Sequence, residues 1–212
     1  MNLSDYDLSI LIDKILDILM VRGIKATTMD DIAVKLSISK RTLYEIFKSK
    51  TGMVTEVMNR FHYKLLKKNI DYQKDSPSVM DSIMMSFIFY RDLLRRMNMD
   101  FLNDFDNLPQ EDKRLCNAAE RTYMSNFYSL LDRGAAEGYI RTDIDYHLNF
   151  RITQLQLTII KRLSEVFPPD ISLFQVYDTT VIGFLRGIAS QKGIETIESR
   201  IHMFETATKH ID

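Results

Sequence analysis

The chain is short of the residues that interrupt regular structure. Its 212 residues include 7 Gly and 4 Pro, about 5% against an average usage of roughly 12%. Disordered, collagenous and turn-rich all-β chains all need many breakers, so those classes are excluded. A single cysteine, Cys116, rules out an intramolecular disulfide framework and fits a reducing compartment. It has no neighbouring histidine and reads as a small core residue. No uncharged apolar run reaches the roughly 18 residues that a membrane helix needs. Asp5, Asp7, Asp13 and Asp17 interrupt the apolar N-terminus, which also lacks a basic n-region, so no signal peptide is expected and the chain reads as cytoplasmic.

What is present is helical periodicity. Leu8, Leu11, Ile12, Ile15, Leu16 and Leu19 form one stripe at i, i+3, i+4, i+7. Gly23 follows it as a left-handed stop. Thr28 reads as an N-cap, with Asp30 and Asp31 in the first turn of a short helix carrying Ile32, Ala33 and Leu36. Ser37-Ile38-Ser39 is a tight turn, and Ser39 can cap a third helix that starts at Lys40 and carries Leu43, Tyr44 and Phe47. A fourth begins near Thr51. Ser76-Pro77 reads as a cap and first helical position, opening a helix through Met97. Pro109 opens another to about Glu137, where Gly138 ends it. Further helices are expected over 144–166, 172–191 and, beyond Gly193, 194–209. The expected fold is therefore all-α, with residues 1–50 as a head, the fourth helix (51–73) as a connector, and 74–212 as a larger helical domain.

The formal net charge of −1 conceals a cancellation. Residues 1–68 carry 12 Lys/Arg and 8 Asp/Glu, and the remainder carries 16 and 21. Within 35–68 nine cations face only Glu45 and Glu56. A basic segment on an acidic chain points to a confined polyanion site, although a solvated helix face would look the same by charge alone.

The spacing settles that choice. TMDDIAVKL, SIS and KRTLYEIF form a short helix, a tight turn and a second short helix, which is the helix-turn-helix pattern. Ala33 sits where the two helices must approach closely. Lys40, Arg41, Thr42 and Tyr44 fill the outward face of the second helix, which fits a major groove about 12 Å wide. By chemistry, Lys40 and Arg41 can read guanine O6 and N7. Thr42 can bond a base edge or a phosphate. Tyr44, Lys48 and Lys50 suit phosphates, and Ser39 and Thr28 sit at helix N-termini that favour anions. The alternatives are half-buried packing for Tyr44 and plain solvation for Lys48.

From Ile15 to Met58 the sequence resembles the DNA-binding domain of the tetracycline-repressor family of bacterial regulators. Gly23, Thr27-Thr28, Ile32-Ala33, Leu36, Ile38-Ser39, Thr42-Leu43-Tyr44, Phe47 and Lys50 carry the resemblance. It covers about a fifth of the chain. It implies an N-terminal three-helix DNA-binding domain followed by a helical domain for ligand binding and dimerisation. It also implies phosphate contacts by Tyr44 and Lys50. Two departures stand out: Ser37 occupies a turn position where the family most often has Gly, and Thr51-Gly52 replaces a more usual acidic start of the fourth helix. The acidic N-terminus makes a basic minor-groove arm unexpected.

Thr179, Gly183 and Gly187 recur at i, i+4, i+8, with Thr180 and Phe184 beside them. Two glycines inside a helix cost roughly 1 kcal/mol each against Ala, so a packing reason is expected. A close helix–helix approach in a homodimer is one, and intrachain packing the other. The resemblance implies that the late helices pair across a two-fold axis. Met84, Phe87, Tyr90, Phe101, Phe105, Tyr123, Phe127 and Gln154 are the candidate lining of an effector pocket for a small apolar or aromatic molecule, with plain core as the alternative. Phe101–Phe105 reads as a short gating helix. His62, His147, His202 and His210 are scattered, with no HxxxH or CxxC spacing, and there is no Gly-rich phosphate loop or nucleophile elbow. No metal, cofactor or catalysis is expected. The reading is a dimeric DNA-binding repressor released by an effector. The alternatives are an architectural DNA binder without a ligand and an all-helical protein-interaction module.

Overall fold

The computed structural model describes residues 5–106, 110–162 and 166–202, with the backbone alone at 5, 6, 102, 105, 106, 110–117, 161 and 162. The helices are α1 (Asp5–Arg22), α2 (Met29–Leu36), α3 (Lys40–Phe47), α4 (Lys50–Asp75), α5 (Val79–Leu94), α6 (Met99–Asp106), α7 (Gln110–Ala136), α8 (Tyr146–Leu157), α9 (Leu173–Ile188) and α10 (Gln191–Arg200). A 3-10 segment at Thr158–Arg162 follows α8. Among the described residues no strand forms, and one isolated antiparallel bridge joins Ile140 to Ala189. The all-α expectation holds.

Packing gathers the chain into two units, one of residues 1–66 with 94–124 and the other of 67–93 with 125–212. The first is centred on Ile15, Leu19, Ile32, Leu43, Met53 and Val57, all without exposure. Arg60 and Lys64 of α4 meet Asp13 of α1 at 2.8 and 2.9 Å. Burial pushes the Asp13 carboxyl up, but the bonds from Arg60 and Lys64 outweigh it and hold the group below its ordinary value. The second unit has an aromatic centre, in which Phe127 stacks on Phe150 at 4.5 Å and Phe184 lies 5.8 and 5.7 Å from Phe87 and Phe150.

Several helix ends differ from the sequence expectation. Helix α5 is capped by Ser78, whose Oγ accepts the Asp81 N–H at 3.1 Å and donates to the Asp81 carboxylate at 2.7 Å. Pro77 therefore precedes the cap instead of opening the helix. The helix stops at Leu94, and Asn98 starts α6 by accepting the Asp100 N–H at 2.9 Å. The single helix expected over 144–166 begins after Asp145 and tightens to 3-10 at Thr158. There the Thr158 hydroxyl donates back to the Leu155 carbonyl at 2.6 Å, and two β-branched isoleucines follow.

Gly193 is not a separator. Helix α9 ends at Ile188 because Arg141 N–H takes the Ile188 carbonyl and Ser190 N–H takes the Tyr139 carbonyl. Ser190 then caps α10, placing Gly193 in its first turn. A Cβ at Gly193 would collide with the Tyr139 carbonyl oxygen, so close approach selects glycine there. The expected helix end near Lys209 lies outside the described residues.

Candidate nucleic-acid interface

Helix α2 is held by a reciprocal cap. Thr28 Oγ1 accepts the Asp31 N–H at 3.1 Å, and the Asp31 carboxylate accepts the Thr28 N–H at 2.8 Å and its hydroxyl at 2.6 Å. Those bonds from Thr28 keep the Asp31 carboxyl below its ordinary pKa. The helix ends at Ser37, where φ 55 and ψ 39 are left-handed. Ile38 N–H closes onto the Ala33 carbonyl at 3.0 Å and Ser37 N–H onto that of Val34 at 3.2 Å. This two-bond closure turns the chain within three residues and aims α3 outward. A serine pays for left-handed backbone that glycine enters freely. Ser37→Gly is expected to stabilise the protein by about 0.5–1 kcal/mol, raising its melting temperature by roughly 1–4 °C in a thermal scan.

Ser39 caps α3, accepting the Thr42 N–H at 3.0 Å, and its hydroxyl meets that of Thr42 at 2.8 Å. The apolar face of α3 carries Leu43 and Phe47 into the core. That fixes the opposite face, where Lys40, Arg41 and Tyr44 are exposed, Arg41 to 88% of its side chain. The helix stops in a tight loop. Lys48 has φ 63 and ψ −38, and Ser49 N–H reaches back to the Phe47 carbonyl at 2.7 Å, a positive-φ γ-turn. Helix α4 starts so close behind that a Cβ on Gly52 would collide with the Phe47 carbonyl oxygen. The unusual Thr51-Gly52 start thus has a local steric reason.

The cations of this face have partners that the sequence reading missed. Lys40 Nζ lies 2.8 Å from Asp30, whose bond holds the lysine above its ordinary pKa. Arg41 Nε meets Glu45 at 2.8 Å, Lys48 Nζ donates to the Glu45 carbonyl at 2.8 Å, and Lys50 Nζ donates to the Lys25 carbonyl at 3.3 Å. An exposed i, i+4 pair such as Arg41–Glu45 is worth about 0.3–0.5 kcal/mol, too little to prevent exchange for a base edge. The i, i+4 spacing of Arg41 and Glu45 was the signal available for that pair. The ten-residue separation of Asp30 and Lys40 held none.

The remaining candidates divide between the units. Met84, Phe87, Tyr90, Phe127 and Gln154 belong to the second, and Phe101 and Tyr123 to the first. Met84, Phe87 and Phe127 are buried, and Phe87 and Phe127 are 5.5 Å apart edge to face. The Phe105 and Cys116 side chains lie outside the described residues. On α9, a Cβ on Gly183 or Gly187 would meet nothing within 4 Å. With Thr179, Thr180 and Phe184, Gly183 lines an open groove of about 490 Å³ against α8 and the 3-10 segment. Phe184 itself turns inward and is only 6% exposed. Ile152 and Ile159 line the other wall, and they belong to a stripe that the sequence reading overlooked: Leu148, Ile152, Leu155 and Ile159 are all exposed at i, i+4, i+7, i+11.

Residues 11–57 match the family described as bacterial regulatory proteins, tetR family. The HTH-type transcriptional repressor KstR2 of Mycolicibacterium smegmatis is 32% identical over 136 residues, 61% of this chain and 65% of that one. An uncharacterized HTH-type transcriptional regulator of Bacillus subtilis, YvaF, is 33% identical over 79 residues, 36% of this chain and 41% of its own. The match therefore spans less than two thirds of either relative. A TetR/AcrR family regulator from Thermobifida fusca has the same fold, with a TM-score of 0.63 over 85% of this chain and 98% of that one at 24% identity.

Proposed function

We propose that this chain, whose residues 11–57 match the tetR family of bacterial regulatory proteins, is a regulator of that family: a cytoplasmic, dimeric repressor that binds a palindromic DNA operator and releases it on taking up a small apolar or aromatic effector. It is a regulator and not an enzyme. The observation that carries the reading is the presentation of α3: a capped helix with Leu43 and Phe47 buried on one side and Lys40, Arg41 and Tyr44 open on the other. One such helix reads few base pairs, and two-fold pairing places a second about 34–36 Å away on the next major-groove face. The open glycine face of α9 and the apolar stripe of α8 supply a surface for that pairing. The aromatic and methionine-rich centre of the second unit is where an effector of flat, apolar shape would be accommodated.

Selection from a random duplex pool tests the reading. A palindrome is expected; recovery of unrelated sequences would overturn it. On the selected operator, Arg41→Ala is expected to cost about 1–3 kcal/mol, or 5- to 150-fold, and to relax preference at one base pair. Tyr44→Phe should weaken operator and scrambled duplex alike. Titrations on both duplexes at two salt concentrations check this, and equal losses for Arg41→Ala would remove its base-reading role.

A further inference from the structure

Helix α6 and the Asn98 that starts it are fastened to the last turn of α1 and to the loop that leads on to α2. Asn98 N–H donates to the Met20 carbonyl at 2.7 Å, and the Asn98 side-chain amide reaches the Val21 carbonyl at 3.4 Å. Gly23, with φ +86, lets the loop pass close: a Cβ there would lie 3.1 Å from that of Asp100. Next comes Asp104, whose side chain is only 10% exposed. Its carboxylate accepts the Lys25 backbone N–H at 2.7 Å and stands 3.5 Å from Lys25 Nζ. The Lys25 carbonyl in turn accepts the Lys50 ammonium at 3.3 Å. The backbone of Lys25 is thus held on one side by α6, while its other side holds a cation assigned above to a phosphate. Three residues on, Thr28 opens α2.

We propose that Asp104 is a positioning residue for DNA binding, fixing the Lys25 backbone so that Lys50 meets the phosphate in register. The proposal rests on the DNA-binding reading. The bond from Lys25 N–H to a carboxylate is charge-assisted, the stronger class of hydrogen bond. Removing the carboxylate leaves a part-buried N–H without its acceptor, and the loop relaxes to satisfy it elsewhere. Asp104 lies 79 residues from Lys25 in sequence, and it touches no DNA in this scheme.

A double-mutant cycle in the full chain distinguishes positioning from plain stability. Duplex binding is measured for wild type, Asp104→Ala, Lys50→Ala and the double variant, on the selected operator and a scrambled duplex, with melting curves to confirm folding. Each single variant is expected to lose about three- to tenfold on both duplexes, and each should flatten the salt dependence by about one phosphate contact. The double variant should lose no more than Lys50→Ala alone, while Asp104→Ala and Arg41→Ala should combine additively. Asp104→Asn, which keeps an oxygen acceptor, should recover most of the lost affinity. If Asp104→Ala fails to fold, Asp104→Ser replaces it in the cycle. Additive losses for Asp104 and Lys50 would overturn the positioning role with the DNA reading intact; a wild type that binds neither duplex would overturn the DNA reading.

Discussion

Asp178→Ala is expected to destabilise the protein by about 3–5 kcal/mol and lower its melting temperature by roughly 6–20 °C. Arg91 of α5 has no exposed side-chain surface, and Asp178 of α9 is 17% exposed. They are joined by two hydrogen bonds of 2.6 Å, from Nε and Nη2 to the two carboxylate oxygens. The guanidinium also lies 5.5 Å from the centre of the Phe174 ring. Removing the carboxylate strands a buried cation with little water to replace its partner, and that penalty far exceeds the worth of an exposed pair. Its third nitrogen, Nη1, already has no hydrogen-bond partner among the described residues. Replacing both residues, Arg91→Met with Asp178→Leu, is expected to recover most of the loss, since an apolar pair needs no solvation. Differential scanning calorimetry of the wild type and these two variants decides it. A single variant that melts within about 2 °C of wild type would show that water or another group readily reaches the guanidinium.

The second large effect concerns assembly. In the proposed dimer, Gly183→Leu is expected to separate the subunits into monomers in sedimentation and, with the second recognition helix lost, to reduce affinity for the proposed operator by orders of magnitude. Intrachain packing of the glycines was the competing explanation, and a Cβ at either position would meet nothing within 4 Å. A glycine in a helix interior costs about 1 kcal/mol against Ala, so the substitution should not harm the isolated subunit. The exposed stripe of Leu148, Ile152, Leu155 and Ile159 beside it gives a partner helix apolar surface to cover. An unchanged dimer mass with unchanged operator binding would refute the interface. Monomers that retain their melting temperature would support it.

The helix-turn-helix head was legible because its determinants are local. Thr28 and Asp31, or Ser39 and Thr42, are three residues apart, and a cap needs nothing more distant. The left-handed backbone of Ser37 agrees with the glycine most often found there in the family that the sequence resembles, and the charge contrast of 35–68 is visible in composition. The late helices were legible in number but less so in their ends. Pro77 was placed one cap too early because Ser76 and Ser78 are equally good candidates by chemistry, and the bond to Asp81 selects the second. Gly193 looked like a breaker because a sequence does not show the Tyr139 carbonyl that comes against it.

What the sequence by itself determined is therefore whatever operates within a helical turn or two: the all-α class, the helix-turn-helix, the outward face of α3, and the glycines on one side of α9. Tertiary structure decided what depends on partners far along the chain. It paired Arg91 with Asp178 across 87 residues, turned Phe184 inward beside Phe87 and Phe150, left Gly183 and Gly187 facing open space, and brought Asp104 to the backbone of Lys25. The physical reason is one of range. Caps and periodicity act through bonded geometry that repeats every few residues, whereas burial and buried charge pairing depend on which surfaces meet once the helices have packed.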